Sequence, residues 1–365
     1  MIKKSWTKKE EKFLQENFYT TSNKIMAEKL GRSICAVEKK LERMGYTNEN
    51  RQTEGNEEKI ERPKKKDIGK FLVEQIKEEL ANVSSIPSAK QSKNDKKGDT
   101  LVIQLTDFHA GKIVKNQEGI IIYNEQVFIS RIEKLCEQVL KLLDNNIKKG
   151  VPITDVVILS TGDLANGEGI YATQAFEQEL APPRQVMLCV DVISRFIKSL
   201  LDRNLPVKFF GVRGNHGRTG KDTDVASNWD LQIYLILEFW SKLILKNPNL
   251  SIKYTETEQM VLNIRGHGYL IRHIAPEQVD SAAGRVKINE WARIHNVQGI
   301  VYGHYHHAGI FDCDNVRVFR GGSLVGGDSL SESMAKHSEP IQNVWGVNEA
   351  RVSTFIYLVD LGDRK

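Results

Sequence analysis

The sequence predicts an α/β domain of mixed sheets flanked by helices, preceded by a small all-α N-terminal domain. Three observations carry this. β-branched apolar runs alternate with helical periods from Thr100 onward, three short helical segments crowd residues 4–46, and a polar stretch separates the two regions. With 365 residues the chain has room for one large core and one smaller module. Its 40% hydrophobic and 27% charged residues exclude collagen-like and wholly disordered chains. No apolar run approaches the roughly 20 residues that span a bilayer, so no membrane partner is expected. The N-terminus (Met1, Lys3, Lys4, Ser5, Trp6) lacks a signal-peptide core, and Cys35, Cys136, Cys189 and Cys313 form no CxxC pair, which suits a reducing compartment. The expectation is a cytoplasmic protein, and Lys-, Asn- and Ile-rich usage points to a bacterial cell or a phage-infected host.

Residues 1–47 form the N-terminal module, in which residues 4–46 read as three short helices. Thr7 and Glu10 form a capping box ahead of Glu11, Phe13, Leu14 and Phe18; Ser22 caps a second helix holding Ile25, Met26 and Leu30; Gly31 ends it. A third begins at Ser33 and runs through Ala36, Val37, Lys40 and Leu41 to Gly45. A tight Gly31-Arg32-Ser33 turn before the last helix is the helix-turn-helix arrangement, whose last helix enters the major groove. Arg32, Ser33, Lys39, Lys40 and Arg43 are then expected to face phosphates or bases. This segment holds 11 Lys and Arg against 6 Glu, while the rest of the chain holds 41 of each sign, so the net +5 resides here. Such a basic arm suits a polyanion. The patterns Trp6-Thr7-x-x-Glu10-Glu11, Ala27-Glu28-x-Leu30-Gly31-Arg32-Ser33 and Ala36-Val37-x-x-Lys40 resemble Myb/SANT-like modules, which implies DNA as the partner. A helical bundle for protein contact or dimerisation is the alternative.

Residues 48–99 read as a polar linker, with Arg62-Pro63-Lys64-Lys65-Lys66 and a Ser/Lys/Asn-rich stretch from Ser84 to Gly98. Ile68, Phe71, Leu72, Ile76 and Leu80 keep helical spacing, so an amphipathic helix over 67–82 is expected to dock on a domain or to pair with a second chain as a homo-oligomer.

Residues 100–365 form the α/β domain. Leu101–Leu105, Val156–Leu159, Val207–Gly211 and Gly299–Tyr302 read as buried strands, with helices near Ser130–Ile147 and Val186–Arg203. Met260–Ile264, Tyr269–Ile271, Val316–Phe319 and Thr354–Val359, with a tight Gly266-His267-Gly268 turn, suggest hairpins and therefore mixed sheets.

Chemistry gathers at predicted strand ends: Thr106-Asp107-Phe108-His109, Gly162-Asp163-Leu164-Ala165-Asn166, Gly214-Asn215-His216, His273, and Gly303-His304-Tyr305-His306. Open α/β sheets place ligand sites in that crevice. Two Asp, one Asn and four His supply mixed oxygen and nitrogen ligands for manganese, iron or zinc, and the absence of Cys argues against a structural zinc.

This ordered set resembles the calcineurin-like metallophosphoesterase superfamily, whose signature is DxH, GDxx(D/N), GNH, a lone His after a strand, and GHxH. The resemblance spans residues 101–306 and implies a metallophosphoesterase-type sandwich of mixed sheets with two divalent ions, manganese first and iron or zinc as alternatives. It implies that Asp107, His109 and His306 hold one ion, that Asn215, His273 and His304 hold the other, and that Asp163 bridges both. It also makes His216 the catalytic group facing the leaving oxygen. Two ions roughly 3.5–4 Å apart neutralise a phosphate ester and lower the pKa of a bridging water toward about 7, so no covalent nucleophile is needed.

Asn166-Gly167-Glu168 and Gly217 depart from the GDxxDRG and GNHE of phosphoprotein phosphatases, which argues against a phosphoprotein substrate. Gly217 also lacks the acid that nuclease members often carry, so Asn166 is expected to orient His216. Arg213, Arg218 and Lys221 are candidate contacts to neighbouring phosphates. The segment after Phe319, with Gly321-Gly322-Ser323, Gly326-Gly327 and Trp345, is expected to rim the site. His267 reads as an exposed turn residue, His295 as a helix histidine, and His337 is given no role; His307 either orients substrate or is exposed. The expected function is a dinuclear-metal-dependent phosphodiesterase that hydrolyses DNA delivered by the N-terminal domain. One alternative is a small-molecule or nucleotide phosphatase or phosphodiesterase, favoured by 29 basic against 30 acidic residues over 100–365. Another is a non-enzymatic DNA-binding regulator with a vestigial metal site.

Overall fold

A computed structural model describes residues 6–18, 21, 23–46, 98–116, 118–148, 151–171, 174–279, 281–327 and 338–362. Most of the expected linker, its helix over 67–82, the Ser22 cap and His337 lie outside the described residues. The chain divides into two compact units, Met1–Phe71 and Leu72–Lys365. No described helix is long and apolar enough to cross a membrane.

The first unit holds α1 (Lys8–Asn17), α2 (Asn23–Leu30) and α3 (Ile34–Arg43). The capping box forms: Thr7 Oγ1 accepts the Glu10 N–H at 3.3 Å and Glu10 Oε2 accepts the Thr7 N–H at 2.8 Å. Ser33 caps α3 by accepting the Ala36 N–H at 3.3 Å. Leu14, Phe18, Met26, Ala27, Val37 and Leu41 close a core of their own. The acids of α1 draw two of the expected DNA contacts inward. Arg32 forks onto Glu10 (Nε to Oε1 3.1 Å, Nη2 to Oε1 3.0 Å) with its guanidinium 4.3 Å from the Trp6 ring, and Lys40 pairs with Glu11. Of the five residues expected to face DNA, Arg32 and Lys40 are thus paired with acids of α1 and Ser33 caps α3, while Lys39 and Arg43 stand exposed on α3.

The second unit runs β1 (Asp99–Leu105), β2 (Val114–Lys115), β3 (Ile121–Tyr123), α4 (Glu125–Lys148), β4 (Ile153–Ser160), α5 (Pro182–Leu201), β5 (Val207–Gly211), α6 (Trp229–Phe239) and β6 (Leu250–Tyr254). It continues with β7 (Gln259–Ile264), β8 (His267–Arg272), α7 (Ala282–His295), β9 (Gly299–Tyr302), β10 (Gly309–Cys313), β11 (Val316–Arg320), β12 (Ile341–Val347) and β13 (Ile356–Asp360). One sheet has the order β13-β12-β1-β4-β5-β6, with β1, β4, β5 and β6 parallel and β12 antiparallel to both of its neighbours, β1 and β13. A second has the order β10-β11-β9-β8-β7, parallel across β8, β9 and β11, and β2 pairs with β3 in a two-stranded ribbon.

Strand alternation sets the layers. On β1 and β4, Leu101, Ile103, Val156 and Ile158 pack with Phe128, Leu135 and Phe196 of α4 and α5, whereas Val102, Val157 and Leu159 pack with Ile271, Val301 and Phe319 of the other sheet. Helix α7 covers that sheet's far side through Ile288, against Leu270 and Ile300. The result is a sandwich of two mixed sheets between helices.

Two details differ from the sequence reading. The hairpin turn falls on Arg265 and Gly266 (φ 53° and 92°), so His267 opens β8 and its Nε2 lies 2.9 Å from the Asn348 carbonyl. Strand β12 was not expected, because Gln342 and Asn343 interrupt its apolar pattern; both are buried and bonded, Asn343 Nδ2 to Gln104 Oε1 at 2.9 Å.

Candidate metal centre

Each candidate ligand lies on a loop leaving the C-terminal end of β1, β4, β5, β8 or β9. The first two loops continue side by side past their strands: Asp107 N donates to Gly162 O at 3.1 Å, and His109 N donates to Asp163 O at 3.0 Å. Gly303 N donates to His273 O at 3.1 Å, joining the β8 and β9 loops. Asp107, His109, Asp163, His304 and His306 all have positive φ (51°, 47°, 54°, 77° and 61°), a conformation that survives only where surrounding bonds enforce it.

Three groups of ligand atoms result: Asp107, His109 and His306; Asp163, His273 and His304; and His109, Asp163 and His216, which links the other two. Within each group the atoms lie within 4.8 Å of one another. His109 Nε2 faces His306 Nε2 at 3.0 Å, and Asp107 Oδ1 lies 3.5 Å from His306 Nε2. Asp163 Oδ2 lies 2.9 Å from His273 Nε2, while Asp163 Oδ1 accepts the His216 N–H at 2.7 Å. Asn215 turns its Nδ2 to the Tyr171 hydroxyl at 2.8 Å, which leaves Oδ1 buried with no hydrogen-bond partner.

The family model for the calcineurin-like phosphoesterase matches residues 100–308. The chain belongs to the calcineurin-like phosphoesterase family. It is a metal-dependent phosphoesterase. No curated protein matches the chain. Among solved structures, zinc-complexed Vps29 from Entamoeba histolytica is 14% identical and covers 72% of this chain and 99% of its own, with a TM-score of 0.33. Vacuolar protein sorting 29 from Cryptosporidium parvum is 14% identical over 74% and 95%, with a TM-score of 0.34. A novel archaeal phosphodiesterase is 12% identical over 71% and 99%, with a TM-score of 0.32.

The donor set of this phosphoesterase fits divalent cations. A buried carbonyl oxygen without a donor is costly unless a cation meets it, and Asn215 Oδ1 is such an atom. Burial, reinforced by His216 and His306, holds His109 well below the usual imidazole range, and burial followed by His273 lowers His304. Burial opposes the charge on Asp163, yet His273 and His216 hold its carboxyl well below the usual range. Neutral imidazoles and a carboxylate are the ligating forms. His273 differs: burial disfavours its charge, but Asp163 outweighs this and raises it to about 9. Its other nitrogen, Nδ1, is held by the Thr161 carbonyl at 2.7 Å.

The motif glycines admit no side chain. A Cβ at Gly214 would sit 2.1 Å from Asp163 Oδ1, and one at Gly303 would sit 2.1 Å from Thr106 Oγ1 and 2.4 Å from Asp107 Oδ2. Asp107 itself accepts from Thr106 Oγ1 at 2.7 Å and from His304 N at 2.9 Å. Gln342 grips the backbone of Thr106 from β12, accepting its N–H at 3.0 Å and donating to its carbonyl at 3.1 Å.

Three residues near the site were not singled out from the sequence: Asp230, Tyr171 and Gln174. Asp230, fully buried at the start of α6, accepts N–H groups from Asp163, Leu164 and Gly214 at 3.0, 2.9 and 2.8 Å. The Asn228-x-Asp230 cap, with Asn228 Oδ1 accepting the Asp230 N–H at 2.9 Å, was its only local signal. Gln174, rather than Asn166, approaches His216: its Nε2 lies 3.4 Å from His216 Nδ1, whereas Asn166 Nδ2 donates to Gly167 O. The expected role of Asn166 is corrected accordingly.

Of the candidate phosphate contacts, Arg213 is buried, with Nε donating to Glu256 O at 3.0 Å and Nη2 lying 3.4 Å from Glu258. Its assignment to phosphate is corrected: the guanidinium fastens the β5 loop to the segment before β7. Arg218 Nε donates to Asn215 O at 3.1 Å, and Lys221 is exposed. The expected rim is also corrected. Trp345 is fully buried and stacks on Phe319 at 4.1 Å, while Ser323 Oγ donates to Asp107 O at 2.8 Å within the protein interior.

Proposed function

We propose that this phosphoesterase hydrolyses phosphodiester bonds in DNA with two divalent cations, manganese first and iron or zinc as alternatives. The observation that supports the reading most is His216, an imidazole outside the triads Asp107/His109/His306 and Asp163/His273/His304 yet tied to them: its backbone N–H is held on Asp163 Oδ1 at 2.7 Å and its ring lies 4.5 Å from that of His109. Asp107, His109 and His306 would hold one cation, Asn215, His273 and His304 the second, and Asp163 both. When bound, such cations would neutralise a phosphate and lower the pKa of water toward about 7, supplying hydroxide near neutral pH. His216 donates a hydrogen bond to the leaving oxygen. The loops from β1 and β4, zipped by backbone bonds, hold the two carboxylates in place before substrate arrives.

DNA as substrate is supported by the excess of 11 Lys and Arg over 6 Glu in residues 1–47, and by Lys39 and Arg43 exposed on the last helix of a three-helix unit that we read as a Myb/SANT-like DNA-binding module. The test uses manganese-loaded full-length protein on labelled single- and double-stranded DNA, bis(p-nitrophenyl) phosphate and p-nitrophenyl phosphate. Diester and DNA cleavage that is abolished in Asp163→Ala and reduced about a hundredfold or more in His216→Ala supports the reading. Strong monoester turnover with inert DNA would transfer the assignment to a small-molecule phosphatase.

A further inference from the structure

The wall beside His216 carries an aromatic side chain that the hydrolysis described above does not use. Tyr171 is 44% exposed, its ring lies 4.8 Å from the His216 ring at an interplanar angle of 42°, and its hydroxyl accepts from Asn215 Nδ2 at 2.8 Å. The backbone beneath it is anchored. Gln174 Oε1 accepts the N–H groups of Ile170 and Tyr171 at 2.9 and 3.1 Å, and Gln174 Nε2 reaches the carbonyls of Asn166 and His216. Gly169 packs so close to the β5 loop that a Cβ would sit 2.8 Å from Thr219 O. Phe176, 86% exposed, follows on the same segment.

Tyr171 leaves nearly half of its surface open, yet it is held at both its hydroxyl and its backbone. We propose that Tyr171 is a specificity-determining residue whose ring stacks on a nucleobase carried by the group that leaves beside His216. The inference rests on the phosphodiesterase reading of the site and names the chemistry of its substrate as a nucleotide with a planar base on the leaving side. Every base presents a π face, so such a stack selects nucleotides without selecting sequence. Because the Asn215 bond already orients the ring, stacking costs little side-chain ordering.

The experiment separates the ring from the hydroxyl. Calorimetry on manganese-loaded full-length protein compares thymidine 5′-monophosphate with deoxyribose 5-phosphate, which share the phosphate and differ in the base. Wild type is expected to bind the nucleotide about tenfold more tightly, Tyr171→Phe to keep a smaller preference because its ring is no longer pre-oriented, and Tyr171→Leu to bind both alike. Cleavage of a thymidine dinucleotide and of its analogue with an abasic leaving residue should show the same ratio in kcat/KM, lost in Tyr171→Leu. Equal binding of both ligands by wild type, or an undiminished ratio in Tyr171→Leu, would overturn the proposal. Failure of the phosphodiesterase reading is detected separately, as inert bis(p-nitrophenyl) phosphate alongside active monoester turnover, and the binding ratio still decides the role of Tyr171.

Discussion

Asp230 and Asp163 share a hydrogen bond rather than a charge pair: Asp230 Oδ2 accepts the backbone N–H of Asp163 at 3.0 Å, and the same oxygen accepts the N–H of Gly214 at 2.8 Å. One buried carboxylate thus clamps the loop carrying Asp163 to the loop carrying Asn215 and His216. Burial, and then the charge on Asp163, raises the Asp230 carboxyl to about 6, while the N–H groups it accepts oppose that rise.

Asp230→Asn is expected to destabilise the protein, since an amide presents one acceptor and turns an NH₂ toward N–H donors. Each N–H left without an acceptor costs about 1–3 kcal/mol. Urea unfolding of the metal-free protein measures this, and calorimetric titration with manganese should show weaker binding. Wild-type values for both would remove Asp230 from the account.

Metal uptake should release a proton from His273. Raised to about 9, this imidazole is protonated at neutral pH in the metal-free protein and must become neutral to ligate. Manganese affinity is therefore expected to rise with pH toward about 9, with close to one proton released per chain near pH 7, read from calorimetry in buffers of different ionisation enthalpy. The linkage to stability has the opposite sense. A folded-state value above the ordinary 6.5 stabilises the metal-free protein fully below 6.5, and this contribution is lost as pH climbs through about 9. A titration without proton release would contradict the His273–Asp163 pairing.

Gly303→Ala should cost about 1–3 kcal/mol through overpacking and should displace the Asp107 carboxylate, because the added methyl would lie 2.4 Å from Asp107 Oδ2. Thermal unfolding and metal content per chain by atomic emission are the readouts. The expected result is a lower Tm with loss of about one of two cations; full occupancy would mean that Asp107 can yield without consequence.

In the N-terminal unit, Arg32→Ala should lower the unfolding temperature, because it removes both the fork onto Glu10 and the cation stacked on Trp6. Lys39→Glu combined with Arg43→Glu should leave unfolding unchanged while reducing the slope of log affinity for DNA against log salt by about 2. An unchanged slope in that pair would argue for a protein-contact role.

The chemistry of the site was legible in the sequence because it is locally encoded. A ligand that must sit at the end of a buried strand follows directly upon an apolar run, and the glycines that let neighbouring loops approach stand beside it, as in Gly162-Asp163, Gly214-Asn215 and Gly303-His304. Residue type and spacing therefore determined which side chains could ligate and which strands would present them. What tertiary structure alone decided was who supports them. Asp230 lies 67 residues from Asp163, Tyr171 lies 44 from Asn215, and Gln342 lies 236 from Thr106. Strand β12 enters the sheet despite a broken apolar pattern because its polar side chains find buried partners there. Likewise, the basic charge of Arg32 and Lys40 was visible in the chain, but its destination was set by Glu10 and Glu11 across the helix packing. Local rules specify backbone and chemistry over a few residues, whereas sheet order and packing choose which distant groups share one space, and no spacing along the chain encodes that choice.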